Sequence, residues 1–563
     1  MTHTWIEETM ASMTLEEKVG QVLMVGFWNL NAESFPEIRK KIRQYPIGGF
    51  FHFNAGQSFL ADCFRILQED AKVPLLVAAD YELGLGWVVE EGVRFPRAMA
   101  RGYHADESQE YEIAKSIARQ GRSIGANITF SPVVDVNTEP LCPDVNVRAY
   151  SDDPEVIAKL AIHYIKGLQE NGMLATVKHF PGNGGTIMDQ HISAAVISHS
   201  KDKMKEIWLA PYRQCIQKAD VSAVMVAHLE VPSLCNELHP ETGRPVPASM
   251  SREIITDLLR GELQFRGLVI TDAMNMGGVN SQYTRNQANI KTLQAGTDLI
   301  LDFHPLDFEK DFEGLIDAVD SGVLDRKRLD NAVQNVLIAK VKAGLHADSG
   351  LPANEKERKR LFQSGQYNSM CRTISGKAVT ILKNRGDVLP IRNIQNKKVC
   401  VLNVFGPENR ILVNQGQFAM KEGVVEALKK RGAVVDEYEV TSEWPFGQVG
   451  DVARKTAEYD YTFLNFFVVP NFAIGTLIPN INAVRLFFNG ILTEAGNIII
   501  TAFGDPYIIQ YCQAAPVYVC TFDDSLHSQE AAVRAWLGES PVRGRMPVTF
   551  PGFFKRGDGL NIS

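Results

Sequence analysis

The densest chemistry in this chain lies in one stretch, Lys178-His179-Phe180-Pro181-Gly182-Asn183-Gly184, which runs on to Asp189-Gln190-His191. Pro181 with Gly182, Gly184 and Gly185 makes a loop that can fold tightly over a ligand. Asp189 stands two residues before His191, and on an extended loop that spacing puts both side chains on one side. A carboxylate beside an imidazole fixes the ring's tautomer and stabilises its charged form, which equips the ring to pass protons. The same pair can also do no more than cap a loop. A metal centre is not expected, because no third and fourth ligand follow at a recognisable spacing. A second focus is Asp272, which closes the apolar run Gly267 to Thr271, where a carboxylate would be presented at a strand end.

These groups need elements to hold them. Short apolar runs recur at Gln21 to Phe27, Ile47 to Phe53, Pro74 to Ala79, Ala126 to Val136, Leu174 to His179, Ala223 to Leu229, Gly267 to Thr271 and Thr297 to Leu301. Amphipathic helical patterns lie between most of them, as at Pro154 to Glu170, Met204 to Ala219 and Arg252 to Leu263. Strand then helix, repeated, predicts a (β/α)8 TIM-type barrel, with a doubly wound open sheet as the alternative. The first helix is announced by Thr14 and Glu17, a capping-box spacing. In such a barrel the strand C-termini converge on one mouth. Six runs carry ionisable groups there: Asp80, Asp135, Lys178 with His179, His228, Asp272 and Asp302. Together they could line a polar pocket for sugar hydroxyls. Residues 346–395 read as a linker that packs. From 396 to 563 apolar runs at Val399 to Phe405, Tyr461 to Val469, Asn497 to Phe503 and Pro516 to Phe522 predict a smaller α/β sandwich after the barrel of residues 1–345.

With 563 residues, 45% hydrophobic and 22% charged, the chain has the composition of a globular protein of about two domains. The net charge of -8, without a Lys/Arg cluster, argues against nucleic acid or anionic lipid as partner. Residues 1–12 lack the basic and apolar segments of an export signal, and the 8 cysteines show no C-x-x-C pair. Reduced thiols in a cytoplasmic protein are the expectation.

The segment from Lys178 to His191 resembles the signature K-H-[FI]-P-G-[HL]-G-x4-D-[ST]-H of the two-domain β-N-acetylglucosaminidases of glycoside hydrolase family 3. Lys178, His179, Phe180, Pro181, Gly182, Gly184, Asp189 and His191 match at the same length. Val269 to Met276 resembles that family's nucleophile strand, and Asn146-Val147-Arg148-Ala149-Tyr150 its sugar-binding arginine segment. The resemblance implies a retaining β-N-acetylhexosaminidase that needs no cofactor. Asp272 would be the nucleophile and His191, held by Asp189, the acid and base, while Asp80, Arg148, Lys178 and His179 would bind the sugar, a terminal β-linked GlcNAc. The chain departs from the pattern at Asn183, at Gln190 in place of Ser or Thr, and at Leu83-Gly84-Leu85-Gly86. Transfer of the sugar to phosphate, another β-glycosidase specificity, and a sugar-binding protein without turnover stay open. So does a Schiff-base lyase using Lys178.

Overall fold

The computed structural model describes residues 2–28, 30–304, 307–347, 350–406, 423–470, 475 and 477–563. Eight parallel strands close a barrel in its first compact unit: β1 Leu23–Phe27, β2 Gly49–His52, β3 Leu76–Ala79, β4 Ile128–Thr129, β5 Leu174–Phe180, β6 Ala223–Val226, β7 Leu268–Ala273 and β8 Leu299–Asp302. Every strand follows the apolar run expected for it, and β8 pairs with β1 to complete the ring. Alternation along the strands sends Met24, Phe51, Leu76, Ile128, Leu174, Met225, Ile270 and Leu301 into one interior cluster, so the barrel is a packed core. The run from Ala126 to Val136 shrinks to the two residues of β4, because Pro132 has no N–H to continue a ladder; beyond it the Ser131 carbonyl accepts from Thr176 N at 3.1 Å and Val133 bridges to Lys178. Thr14 and Glu17 do form the capping box, at 3.2 and 3.0 Å, but a helix at Thr2–Ser12 precedes theirs.

The second unit is built on a six-stranded sheet of β9 Thr380–Asn384, β10 Lys398–Phe405, β11 Val434–Val440, β12 Tyr461–Phe467, β13 Ile498–Ala502 and β14 Val517–Cys520. Its order is β9-β14-β13-β12-β10-β11, parallel except for β9. Successive side chains go to opposite faces. Val399, Val401, Phe463, Ile499 and Val519 enter a core with Leu428 and Trp536. Cys400, Leu402, Leu464, Ile500 and Tyr518 enter another with Val449 and Leu486. Helices therefore cover both faces, as the sandwich reading requires.

The division of the chain differs from the expected one. The first unit runs through Ser364, and the second takes Pro96–Ala105 and Asn137–Asp153 besides Gly365–Ser563. The expected linker is split because helix Glu355–Phe362 packs toward Gln120, which donates to the Leu361 carbonyl at 3.1 Å, whereas Thr380–Asn384 is the edge strand β9. The two early segments join the second unit because Met99, Ala100 and Val147 are buried in its core. All 8 cysteines are free and buried. Among the described residues no helix is long and apolar enough to cross a membrane.

One core residue carries a cost that pH reveals. Lys340, on helix Arg326–Lys342, is fully buried and its Nζ donates to Gln21 Oε1 at 2.5 Å, with no carboxylate paired to it among the described residues. Burial pushes its ammonium down to about 7. Between that value and the ordinary lysine value the unfolded chain binds the extra proton, so folding stability rises with pH through this window. Lys340→Met is expected to raise the melting temperature most below pH 7, by an amount on the order of a few kcal/mol in stability, and the gain should shrink toward pH 10. A gain that stays constant from pH 6 to 10 would mean that Lys340 does not titrate in the fold.

Candidate active site

The strand ends of the barrel gather most of the singled-out residues. At the end of β5, Lys178 is buried and its Nζ reaches Asp80 Oδ1 at 2.6 Å, just after β3, and Glu82 Oε1 at 2.7 Å. His179 is placed by Asp135, a fully buried carboxylate that sequence reading marked only as a strand-end group. Asp135 Oδ2 takes the ring Nδ1 of His179 at 2.6 Å, and its Oδ1 takes the amides of His179 and Asn183 at 3.1 and 2.7 Å. One carboxylate thus fixes both the imidazole and the turn that follows. The turn lies on Trp208: a Cβ on Gly182, whose φ is +119°, would stand 2.5 Å from the Trp208 Cβ. Asn183 closes it by accepting from the Gly184 amide at 2.7 Å.

Asp189 and His191 form the expected pair. Asp189 Oδ1 accepts from His191 Nδ1 at 2.8 Å and from the His191 amide at 2.9 Å, so one carboxylate oxygen holds both the ring and the main chain of His191. The loop carrying them is fastened beside Asp272. Gly277 N donates to the His191 carbonyl at 2.9 Å, and Gly278 N to the Gln190 carbonyl at 3.0 Å. Gln190 itself is fully buried; its Nε2 donates to Asp272 Oδ2 at 3.3 Å and its Oε1 accepts from the His228 amide at 3.1 Å. Asp272 Oδ1 takes the Ala273 amide at 2.8 Å. Burial would push the Asp272 carboxyl up, but His179, His228, His191 and the Ala273 amide outweigh it and hold the group below its ordinary value. His228 is buried, its ring between Ser249 Oγ and the Ala273 carbonyl, and burial pushes its pKa down.

The end of β8 repeats the pairing. Asp302 Oδ1 accepts from the amide and Nδ1 of His304 at 2.9 and 2.8 Å. Asp311 lies close to this pair and is engaged by Arg285 and Asn289. Arg148 belongs to the second unit. Its Nη1 binds the Asp144 carbonyl and carboxylate, both at 2.8 Å. The turn Asn146–Arg148 is tied by Asn146 Nδ2 to Asp505 Oδ1 at 3.1 Å, and burial pushes that carboxyl up to about 7.

Residues 14–339 match the family described as "Glycosyl hydrolase family 3 N terminal domain", more than half of the chain. The chain belongs to glycoside hydrolase family 3. It is a hydrolase, and its two-unit fold is that of known family members. A protein of Cellulomonas fimi named β-N-acetylglucosaminidase/β-glucosidase is 28% identical over 552 residues, 97% of this chain and 95% of that one. β-Hexosaminidase A of Pseudoalteromonas piscicida is 29% identical over 420 residues, 68% of this chain and 69% of its own. Among solved structures, a family 3 β-N-acetylglucosaminidase from Paenibacillus sp. str. FPU-7 superposes with a TM-score of 0.82 at 26% identity, covering 96% of this chain and 99% of that one. A β-glucoside phosphorylase gives 0.85 at 25%, covering 98% and 97%.

In this family 3 enzyme the join between the dyad loop and the segment after β7 leaves no slack. A Cβ on Gly277 would stand 2.1 Å from the Ile192 carbonyl oxygen and 2.4 Å from its carbon, both backbone atoms. Gly277→Ala must therefore displace the loop. Since a shift of about 1 Å at a catalytic group can cost roughly 100-fold, kcat/KM on an aryl β-glycoside should fall by about that factor. Gly376→Ala, which meets nothing within 4 Å, should leave it unchanged. Full activity in Gly277→Ala would show that the loop does not need this seat.

Proposed function

We propose that the enzyme is an exo-acting retaining β-N-acetylglucosaminidase that removes terminal β-linked GlcNAc from glycosides such as cell-wall or chitin fragments. The observation that carries this reading is the seating of the Asp189–His191 pair on the segment that follows Asp272, with Gln190 bonded to Asp272 itself. A proton-transfer group and an ionised carboxylate then serve one anomeric carbon. Support also comes from the relatives named β-N-acetylglucosaminidase and β-hexosaminidase.

The chemistry follows from the groups. Asp272, kept ionised by the histidines around it, attacks the anomeric carbon as the glycosidic C–O bond breaks, and an acylal ester forms. His191 gives the departing oxygen the proton on Nε2, while its Nδ1–H stays on Asp189, whose negative charge stabilises the imidazolium beforehand. The now neutral ring takes a proton from water as water attacks the same carbon from the vacated side. The ester bond breaks, Asp272 leaves as carboxylate, and configuration is retained. Lys178, Asp80 and His179 bind hydroxyls of the sugar; for Arg148 a sugar-binding role is carried by the resemblance of its segment alone. An ammonium shared by two carboxylates donates to hydroxyls while those carboxylates accept from them.

A second reading has an observation of its own. The proton carrier is a histidine, not a carboxylate, and a β-glucoside phosphorylase is among the similar structures. A carboxylate about 4 Å from an incoming phosphate would repel each of its charges by roughly 4 kcal/mol at an effective dielectric of 20, and a neutral imidazole does not. Phosphate would then take the place of water and the product would be the sugar 1-phosphate with retained configuration.

Asp272→Asn is expected to lower kcat on an aryl β-GlcNAc at least 1000-fold, on the order of 4 kcal/mol; an undiminished rate would remove Asp272 as nucleophile. His191→Ala should depress hydrolysis of poor leaving groups far more than that of activated aryl glycosides, which need little protonation. Equal losses on both would count against His191 as the acid. Product analysis in phosphate separates the two readings: free sugar alone supports hydrolysis, and sugar 1-phosphate supports phosphorolysis. Comparing aryl β-GlcNAc with aryl β-glucoside tests the sugar.

A further inference from the structure

The residue between the two members of the dyad is a departure from the pattern the segment resembles, which carries Ser or Thr there, and it is buried completely. The loop is not extended here as the spacing suggested: Ile192 N and Ser193 N both donate to the Asp189 carbonyl at 3.1 Å. On this turn the Gln190 side chain is directed to Asp272 and the His228 amide while Asp189 pairs with His191. Its amide is spent at both ends, Oε1 on the His228 amide at 3.1 Å and Nε2 on Asp272 Oδ2 at 3.3 Å. The orientation of that amide is not arbitrary. An N–H on one side demands the oxygen and a carboxylate on the other demands the NH2 group, so the reversed rotamer would set like against like at both contacts. A Ser or Thr hydroxyl is two bonds too short to make this bridge.

We propose that Gln190 is a positioning residue that ties the nucleophile to the acid–base loop. It rests on the reading of Asp272 as nucleophile and goes beyond it. With Ala273 N on Oδ1 and Gln190 Nε2 on Oδ2, each oxygen of Asp272 has a donor, and the plane of the carboxylate is set from two elements at once. The main chain of Gln190 is held by Gly278 N, so displacement of the dyad loop withdraws a donor from the nucleophile. Acid–base group and nucleophile are thereby either both in place or both disturbed. The donor also acts in the second half of the reaction. When the ester bond to the sugar breaks, charge returns to Asp272, and Gln190 Nε2 is already aimed at it, so the bond strengthens as the glycosyl-enzyme is released.

The groups that act electrostatically on Asp272 are His179 from β5, His228 from β6 and His191 from the dyad loop. On the β8 side the strand end carries Asp302, engaged by His304. Gln190 meets one of these through the His228 amide, a contact that Gln190→Glu keeps and Gln190→Met loses, so the two variants together isolate the contact with Asp272. Gln190→Met keeps the length and removes the donor. Gln190→Glu keeps an acceptor for the His228 amide but sets a carboxylate against Asp272. The acid limb of kcat/KM, which reports the free enzyme, should move up by about half to one pH unit in Gln190→Met and further in Gln190→Glu. In Gln190→Met the glycosyl-enzyme should accumulate, seen as a burst of released phenol from an activated aryl glycoside followed by a slower steady rate. A role confined to packing would lower the melting temperature and leave the limb where it is. An acid limb unchanged in both variants overturns the proposal, and if Gln190→Met does not fold, the limb of Gln190→Glu decides alone. Asp272→Asn tells the two levels apart: if it is inactive while the Gln190 limbs stay fixed, only the coupling fails, and if it is active, the nucleophile assignment itself fails.

Discussion

A carboxylate that solvent does not reach, Asp135, sets the geometry from which the rest of the barrel mouth follows. A polar group in a protein interior is costly unless its oxygens are occupied by donors. Asp135 meets that demand with the His179 ring, the His179 amide and the Asn183 amide. The arrangement stiffens the end of β5 at the point where the chain turns over Trp208. Lys178 is then directed at Asp80 and Glu82, and the chain leaves the turn on a course toward Asp189. Donors gathered on one buried side chain thus organise the outer loop, whose own hydrogen bonds to the segment after β7 complete the site.

The sequence made the barrel legible because its strands are buried on both faces, and such strands read as unbroken apolar runs. The same logic explains what it concealed. β11, Val434-Val435-Asp436-Glu437-Tyr438-Glu439-Val440, is an edge strand with mostly exposed or half-buried side chains, so no apolar run announces it. β9 was hidden in a stretch whose Lys383, Asn384 and Arg385 suggest a linker, since an edge strand tolerates such residues. Pro96–Ala105 and Asn137–Asp153 carry no local sign that they pack with a core built mainly from residues beyond 365.

The site was legible as residue types and not as contacts. Asp189 and His191 are close in sequence, and their bond follows from spacing alone. Asp135 and His179 are 44 residues apart, and Gln190 and Asp272 are 82 apart; only the closed ring of strands brings either pair together. Gln190 could be recognised as unusual from the pattern around it. That its amide bridges two strand ends could not, because nothing local specifies the partner of a long polar side chain. His304 shows the converse: the spacing Asp302-Phe303-His304 gives the same local geometry as the dyad, so that geometry does not by itself mark a catalytic pair.

The assignment of Pro96–Ala105 and Asn137–Asp153 to the second unit also bears on the order of synthesis. Both segments leave the ribosome before the strands whose core Met99, Ala100 and Val147 enter. At about 5 to 20 residues per second, the interval from Asp153 to Gly365 lasts roughly 10 to 40 s, and the first strand of the partner sheet comes later still. During that time Met99, Ala100 and Val147 lack the strands beyond residue 365 that complete their core. Neither unit is a cassette that one cut in the gene could lift out whole.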